Sequence, residues 1–149
     1  MYRAIVRRQV RGLFEGLGDN YDALLARTAS DVHHVFPGES ALGGERHTRD
    51  ALRRWFERLD AVFEGHDLRV ADVVLGGPPW RTVVAVEWTI RARTRDGAPY
   101  ENEGAHVIRM RWGRATRIQA YLDSQRLAAA CERSARAGVA EAGAPPIVD

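Results

Sequence analysis

Four consecutive segments of this chain alternate apolar and polar residues: DLRVADVVLG at 67–76, RTVVAVEWTIRART at 81–94, ENEGAHVIRMRW at 101–112, and a last one at 114–122. A period of two is what a strand shows when one face is buried and the other is wet. The breaks GPPW, DGAP and Trp112-Gly113 are turn sequences, so the run reads as strands folded back on one another. Any fold for this chain has to cover one face of that sheet.

The rest of the sequence supplies the cover. Val6, Val10, Leu13, Phe14 and Leu17 recur at helical spacing, with most of the early arginines elsewhere, which predicts an amphipathic helix over 3–17. GLGDNY breaks it, and Asp19 or Asn20 caps a second short helix that runs to Arg27. SDVHHVFPG reads as a strand ended by Pro37-Gly38, and PGESALGGER as a glycine-rich turn on a pocket rim. That loop lacks the Lys-Ser/Thr ending of a phosphate-binding loop. Thr48 caps the next helix, whose stripe is Leu52, Trp55, Phe56, Leu59 and Phe63. A final helix over 124–137 turns Leu127, Ala128, Cys131 and Ala135 inward. The order predicts an α+β domain over 1–137, with helices on one face of a curved antiparallel sheet, and a loose tail over 138–149.

Composition narrows the function classes. A chain of 149 residues suits one domain. Its 22 basic residues, all arginine, stand against 20 acidic ones, and a net charge of +2 forms no stripe that calls for nucleic acid. No run approaches the roughly 18 apolar residues of a membrane span, and the N-terminal segment lacks the apolar core of a signal peptide. A single cysteine, Cys131, excludes an internal disulfide and fits a cytoplasmic location. No metal site is expected: His33 and His34 point to opposite faces, while His47 and His66 fall in loops or at element ends.

The order of elements, with FPGESALGG followed by RDALRRWFERL and the ending RWGRATRIQAYLD, resembles the SnoaL-like branch of the nuclear transport factor 2-like fold over roughly residues 5 to 135. The resemblance implies a cone-shaped domain whose sheet encloses a cavity. It also implies cofactor-independent acid/base chemistry of cyclase, isomerase or epoxide-hydrolase type on a small hydrophobic molecule bearing a carbonyl or an epoxide. A homodimer through the outer sheet face is implied as well. The alternative is a ligand-binding or accessory protein of the same fold.

Which residues face the cavity depends on the register at Trp112-Gly113. With a two-residue turn and a regular ladder, His106 pairs with Gln119, and His106, Gln119, Tyr121 and Asp123 share one face. Val107, Ile118, Ala120 and Leu122 then form an outer apolar patch. With one residue more, His106 lies opposite Ala120, and Ile118, Ala120 and Leu122 turn inward. The resemblance favours the first register, because SnoaL-like cyclases carry an acid/base carboxylate ten residues after the hairpin glycine, and Asp123 stands there. Asp123 is equally placed to cap the last helix. His106 matches the strand position that supplies an oxyanion-hole acid in ketosteroid isomerases. Phe36 stands where those isomerases hold their base, which argues against simple ketosteroid isomerisation. The candidate catalytic pair is Asp123 and His106. His34, Gln119, Tyr121, Tyr21 and Trp55 are the candidate substrate-binding residues, and Glu87 is held in reserve.

Overall fold

The computed structural model describes residues 1–18 and 21–149. Helix α1 (Tyr2–Glu15) and the single turn α2 (Asp22–Leu25) lead into strand β1 (Thr28–Phe36) and the short β2 (Gly44–Arg46). Helix α3 (Arg49–Val62) follows, then β3 (Phe63–Gly76), β4 (Thr82–Thr94), β5 (Pro99–Arg111) and β6 (Arg114–Leu122), and α4 (Ser124–Arg136) closes the domain. The expected caps Asp19 and Asn20 lie outside the described residues. Thr48 caps α3 as its sequence implies, its hydroxyl accepting from the Ala51 amide at 3.1 Å. Phe63, counted with the α3 stripe in the sequence, ends the helix and begins β3.

The six strands form one curved open sheet in the order β2-β1-β6-β5-β4-β3. Neighbours are antiparallel except β1 and β6, which run parallel. The helices supply apolar faces to the sheet: Val6, Val10 and Phe14 from α1, Leu52, Trp55 and Phe56 from α3, and Leu127 and Cys131 from α4 are all buried. The arginines of α1 have a use beyond solvation. Arg7 and Arg11 donate to the carbonyls of Val73 and Val70 at 3.1 Å each, on the edge strand β3. Those donors occupy carbonyls of an edge strand, the kind of group that invites pairing with another chain.

The hairpin between β5 and β6 resolves the register, and it does so by a route neither sequence alternative contained. Trp112 and Gly113 both have positive φ, 51° and 79°, and Arg111 pairs with Arg114, so the turn has two residues as read. Between Arg109 and Met110 the ladder slips: Met110 faces Ala115 while Arg109 faces Arg117. Thr116 is the extra residue, and its hydroxyl donates to the Arg109 carbonyl at 3.2 Å. Beyond this bulge His106 faces Ala120 and Gly104 faces Leu122. The physical reason is the composition of β6. A regular ladder would turn Arg117 and Gln119 into the core and leave Ile118 and Ala120 in water, and exposing Ile118 alone costs about 1.5–3 kcal/mol.

Two further expectations are corrected. The glycine-rich segment after Pro37 is more than a turn, since it returns as β2, with His34, Val35 and Phe36 facing Arg46, Glu45 and Gly44. The last residues are docked rather than loose. A 3-10 turn spans Ala140–Gly143, Ala142 and Ile147 are buried, and the Ile147 carbonyl accepts from Arg46 Nε at 3.1 Å. Arg58 donates to the Pro145 carbonyl at 2.7 Å, and the Asp149 carboxylate accepts from the His47 amide at 2.8 Å. Isolated apolar side chains, Val139 and Ile147 among Gly, Ala and Pro, carry no periodicity, so nothing local signals this docking.

Gly104 tests the β5–β6 pairing. A Cβ there would sit 2.2 Å from the Tyr121 carbonyl oxygen and 2.9 Å from the Leu122 Cβ. Gly104→Ala is expected to lower the unfolding free energy by about 1–3 kcal/mol in urea denaturation. Gly12→Ala, on an open helix surface with nothing within 4 Å, is expected to raise it by about 0.5–1 kcal/mol. Equal effects of the two substitutions would contradict the close approach at Gly104.

Candidate functional site

The concave face of the sheet and the three longer helices enclose a cavity of about 110 Å³. Phe14 comes to it from α1, Trp55 and Phe56 from α3, Trp88 from β4, Ile108 and Met110 from β5, and Ile118 and Leu122 from β6. The lining is almost wholly apolar, and among the described residues it holds no Asp or Glu. Against that background two histidines stand out, His34 from β1 and His106 from β5.

His106 is half-buried and lines the cavity. Its ring packs edge-on against Phe14 at 5.0 Å between centroids. The Trp88 indole N–H donates to His106 Nδ1 at 2.7 Å. An indole nitrogen can only donate, so Nδ1 must be the acceptor and the proton of the neutral ring sits on Nε2. Burial pushes the His106 pKa down to about 4, so the ring is neutral at pH 7 and offers one N–H donor. Trp88 faces Gly104 across the ladder while Val86 faces His106. With no side chain at Gly104, nothing on the opposite strand separates the indole from the imidazole.

His34 is built by the same logic with a stronger donor. Arg46, whose surface is completely buried, donates through Nη1 to His34 Nδ1. Its Nη2 donates to the Gly43 carbonyl at 2.7 Å and its Nε to the Ile147 carbonyl. The guanidinium also lies 5.9 Å from the centre of the Trp55 ring. Burial lowers the Arg46 pKa to about 10, which leaves it charged at neutral pH. Burial, and then the Arg46 charge, hold His34 well below the ordinary imidazole value, with smaller contributions from His106 and His33. His34 is therefore a neutral ring whose free N–H is Nε2, polarised from behind by a buried cation.

The other candidates fall elsewhere. Trp55 lines the cavity with its ring, its N–H being taken by the Leu42 carbonyl at 2.7 Å. Tyr21 stacks on Phe56 at 5.3 Å and does not reach the lining. Gln119 and Tyr121 are corrected: the Thr116 bulge turns them to the outer face, where Tyr121 is 52% exposed. Asp123 is the N-cap of α4, its carboxylate accepting from the amides of Gln125 and Arg126 at 3.0 and 3.1 Å and facing Arg126 Nε at 3.4 Å. It is not part of the cavity wall, so the structure does not bring Asp123 and His106 together. Glu87 lies on the outer face as well, exposed and opposite Ala105. Two residues the sequence did not single out, Arg46 and Trp88, set the state of both imidazoles. Arg46 was hidden because β2 itself was unread, whereas Trp88 was legible in principle as an inward residue diagonal to His106.

The cavity makes acid a destabilising agent. Unfolded, His106 takes a proton near pH 6.5; folded, it resists until about 4. Between those values the unfolded chain binds more protons, so stability falls as the pH drops through this window, by up to about 3 kcal/mol from His106. His34, lowered for the same reason, adds to the same slope. Urea denaturation at pH 7 and pH 4.5 is expected to show that loss in the wild type and a smaller one in His106→Phe. An identical pH dependence in the two would place the His106 proton elsewhere.

Comparison with known proteins fits this geometry. A protein of nuclear transport factor 2-like fold from Burkholderia pseudomallei, of unknown function, superposes with a TM-score of 0.69 at 22% identity, over 79% of this chain and 90% of that one. A polyketide cyclase candidate from Xanthomonas campestris pv. campestris gives a TM-score of 0.62 at 22% identity, over 89% and 99%. A protein of ketosteroid isomerase-like fold from Catenulispora acidiphila, solved with trimethylamine, gives 0.64 at 22% identity, over 76% and 83%. No curated protein matches this sequence. At these identities the structural likenesses establish the fold. The family model of the SnoaL-like domain matches residues 6–118, well over half of the sequence, and the chain therefore belongs to the SnoaL-like family.

Proposed function

We propose that the cavity holds a hydrophobic molecule by an acceptor oxygen, a ketone in the first instance, and activates it for cofactor-independent ring closure of the cyclase type. The observation that carries this reading is the pair of neutral imidazoles, each locked by a donor at Nδ1 and each left with an Nε2 proton, in a cavity whose lining is apolar apart from them, Arg27 and Thr28. A donor in a dry site is worth most where negative charge develops on an oxygen. As an enol carbon of the substrate attacks its own ketone, the carbon–carbon bond forms and charge grows on the ketone oxygen. The His106 N–H stabilises that charge, and His34, polarised by Arg46, is the second donor. The enol hydroxyl gives up its proton and the new alkoxide gains one, so the reaction is an isomerisation. Asp123, held by two amides at the head of α4, has no part in this scheme.

The absence of a carboxylate from the described lining favours one second reading, a protein that holds the same ligand without converting it. A hydrophobic 1,5-diketone labelled with carbon-13 at the carbonyl, whose terminal enol carbon can close a six-membered ring on the far ketone, separates the two. On binding, the carbonyl resonance is expected to move downfield in the wild type and to stay near its free position in His106→Phe. Ring closure is expected to slow by about 100–1000-fold in that variant. A shifted carbonyl with no turnover would leave the binding reading, and an unshifted carbonyl would sink both.

We also propose that the outer face of the sheet joins two copies in a cytoplasmic homodimer. Of the patch expected from the sequence only Val107 lies on that face, since the bulge turns Ile118, Ala120 and Leu122 inward. Its place is taken by a groove that includes Val74, Ala85, Ala105 and Tyr121, of which Val74 is 61% exposed. No helix among the described residues is long and apolar enough to cross a membrane. Sedimentation equilibrium is expected to give twice the chain mass for the wild type and the chain mass for Tyr121→Glu. A monomeric wild type would remove this part of the proposal.

A further inference from the structure

On the far side of β1 from the cavity, the ladder assembles a second group of side chains. The pairing of His34 with Arg46 sets His33 beside His47, the residue that follows β2. Their rings stack, with centroids 4.5 Å apart and planes 18° from parallel. Glu45 stands two positions before His47 and so projects on the same side as it. Its carboxylate meets His33 Nε2 at 2.6 Å. One ligand atom from each of His33, Glu45 and His47 lies within 4.8 Å of the other two. The expectation from the sequence that no two histidines share a face in ligand spacing is thereby corrected: it failed because the strand that brings His47 to His33 was read as a turn.

We propose that His33, Glu45 and His47 form a binding site for a divalent transition-metal ion, zinc or nickel in the first instance. Two imidazoles and a carboxylate are a donor set for such ions rather than for calcium or magnesium, which take oxygen ligands. Nitrogen and oxygen ligands bind zinc at about 2.0–2.2 Å, so ligands around one tetrahedral ion stand roughly 3.4 Å apart. Around an ion, His33 Nε2 and the Glu45 carboxylate open by roughly 0.8 Å from their 2.6 Å contact while His47 closes by up to about 1.4 Å, which side-chain rotation supplies while the strands hold the backbone. A further contact orients the site. His47 Nδ1 faces the Asp149 carboxylate at 3.5 Å, which leaves Nε2 as the coordinating nitrogen and puts a carboxylate behind a metal-bound imidazole. Arg117 stands beside His33 across the β1–β6 ladder, and its charge opposes a cation. Binding consequently rests on the nitrogen donors more than on net charge. His33 and Glu45 are 31% and 57% exposed, so water completes the coordination. The site lies on the opposite face of β1 from His34, and its function is to clasp β2 and the docked C-terminal segment onto β1.

Calorimetric titration of the untagged protein with zinc chloride and nickel chloride tests this. The wild type is expected to bind one ion per chain, His33→Ala and His47→Ala to lose that binding, and Glu45→Gln to weaken it about tenfold. Magnesium chloride is expected to give no heat of binding, and His106→Phe to bind as the wild type does. In the wild type itself, zinc is expected to shift the imidazole nitrogen-15 resonances of His33 and His47 before those of His34 and His106, a readout that needs no variant to fold. Absence of binding in the wild type would overturn the proposal. So would binding that survives His33→Ala and disappears in His106→Phe, which would move the ion into the cavity.

Discussion

The single extra residue at Thr116 decides which molecule this chain becomes. The side-chain period of a strand is two, so one inserted residue exchanges the two faces of everything beyond it. Upstream, the hairpin obeys the turn at Trp112-Gly113; downstream, it obeys the apolar demand of Ile118 and Ala120. The bulge lets both be satisfied at the cost of one interrupted rung, and the Thr116 hydroxyl recovers part of that loss on the Arg109 carbonyl. Everything polar that β6 could have offered to the cavity goes to the outside with it, so the two imidazoles of the lining come from β1 and β5.

What remains inside is polar in a controlled way. A buried imidazole with both nitrogens free could take either tautomer or a proton, and the site would have no fixed character. Trp88 and Arg46 remove that choice by presenting donors that cannot act as acceptors. The cost differs between them. Trp88 brings a neutral dipole, whereas Arg46 brings a full charge into the core, satisfied by two backbone carbonyls, a ring nitrogen and a ring face, all of them uncharged. A cation so placed persists because each of its three nitrogens has an acceptor, and because removing any one acceptor would leave a buried charge short of a partner.

Local patterning carried most of the architecture. The long strands, the helices from Val6, Leu52 and Leu127, the Thr48 cap and the hairpin turn were legible because each rests on residues a few positions apart. The SnoaL-like family was legible for the same reason, through the order of those elements. Non-local competition was hidden. The choice between turn-driven and burial-driven register at β6 compares energies across two strands, and no residue near Thr116 announces the result. β2 is only three residues long, too short for a period to show, and with it went Arg46 and the grouping of His33 with His47. Of the candidate site, His34, His106 and Trp55 were placed inside by parity and stripe. Gln119 and Tyr121 were misplaced because parity was counted through a bulge.

β1 is a wall one strand thick with an imidazole on each side, His33 outward and His34 inward. A positive charge on His33 disfavours a proton on His34. Such influence is mutual: whatever free energy an outer charge exerts on the inner ring, a change of charge on the inner ring returns in equal measure to the outer group. The two sides of β1 thus share one thermodynamic account although their rings lie on opposite faces of the strand. A ligand that leaves the His34 ring neutral would not touch a cation on the outer face, whereas a ligand that drew a proton onto His34 would loosen it.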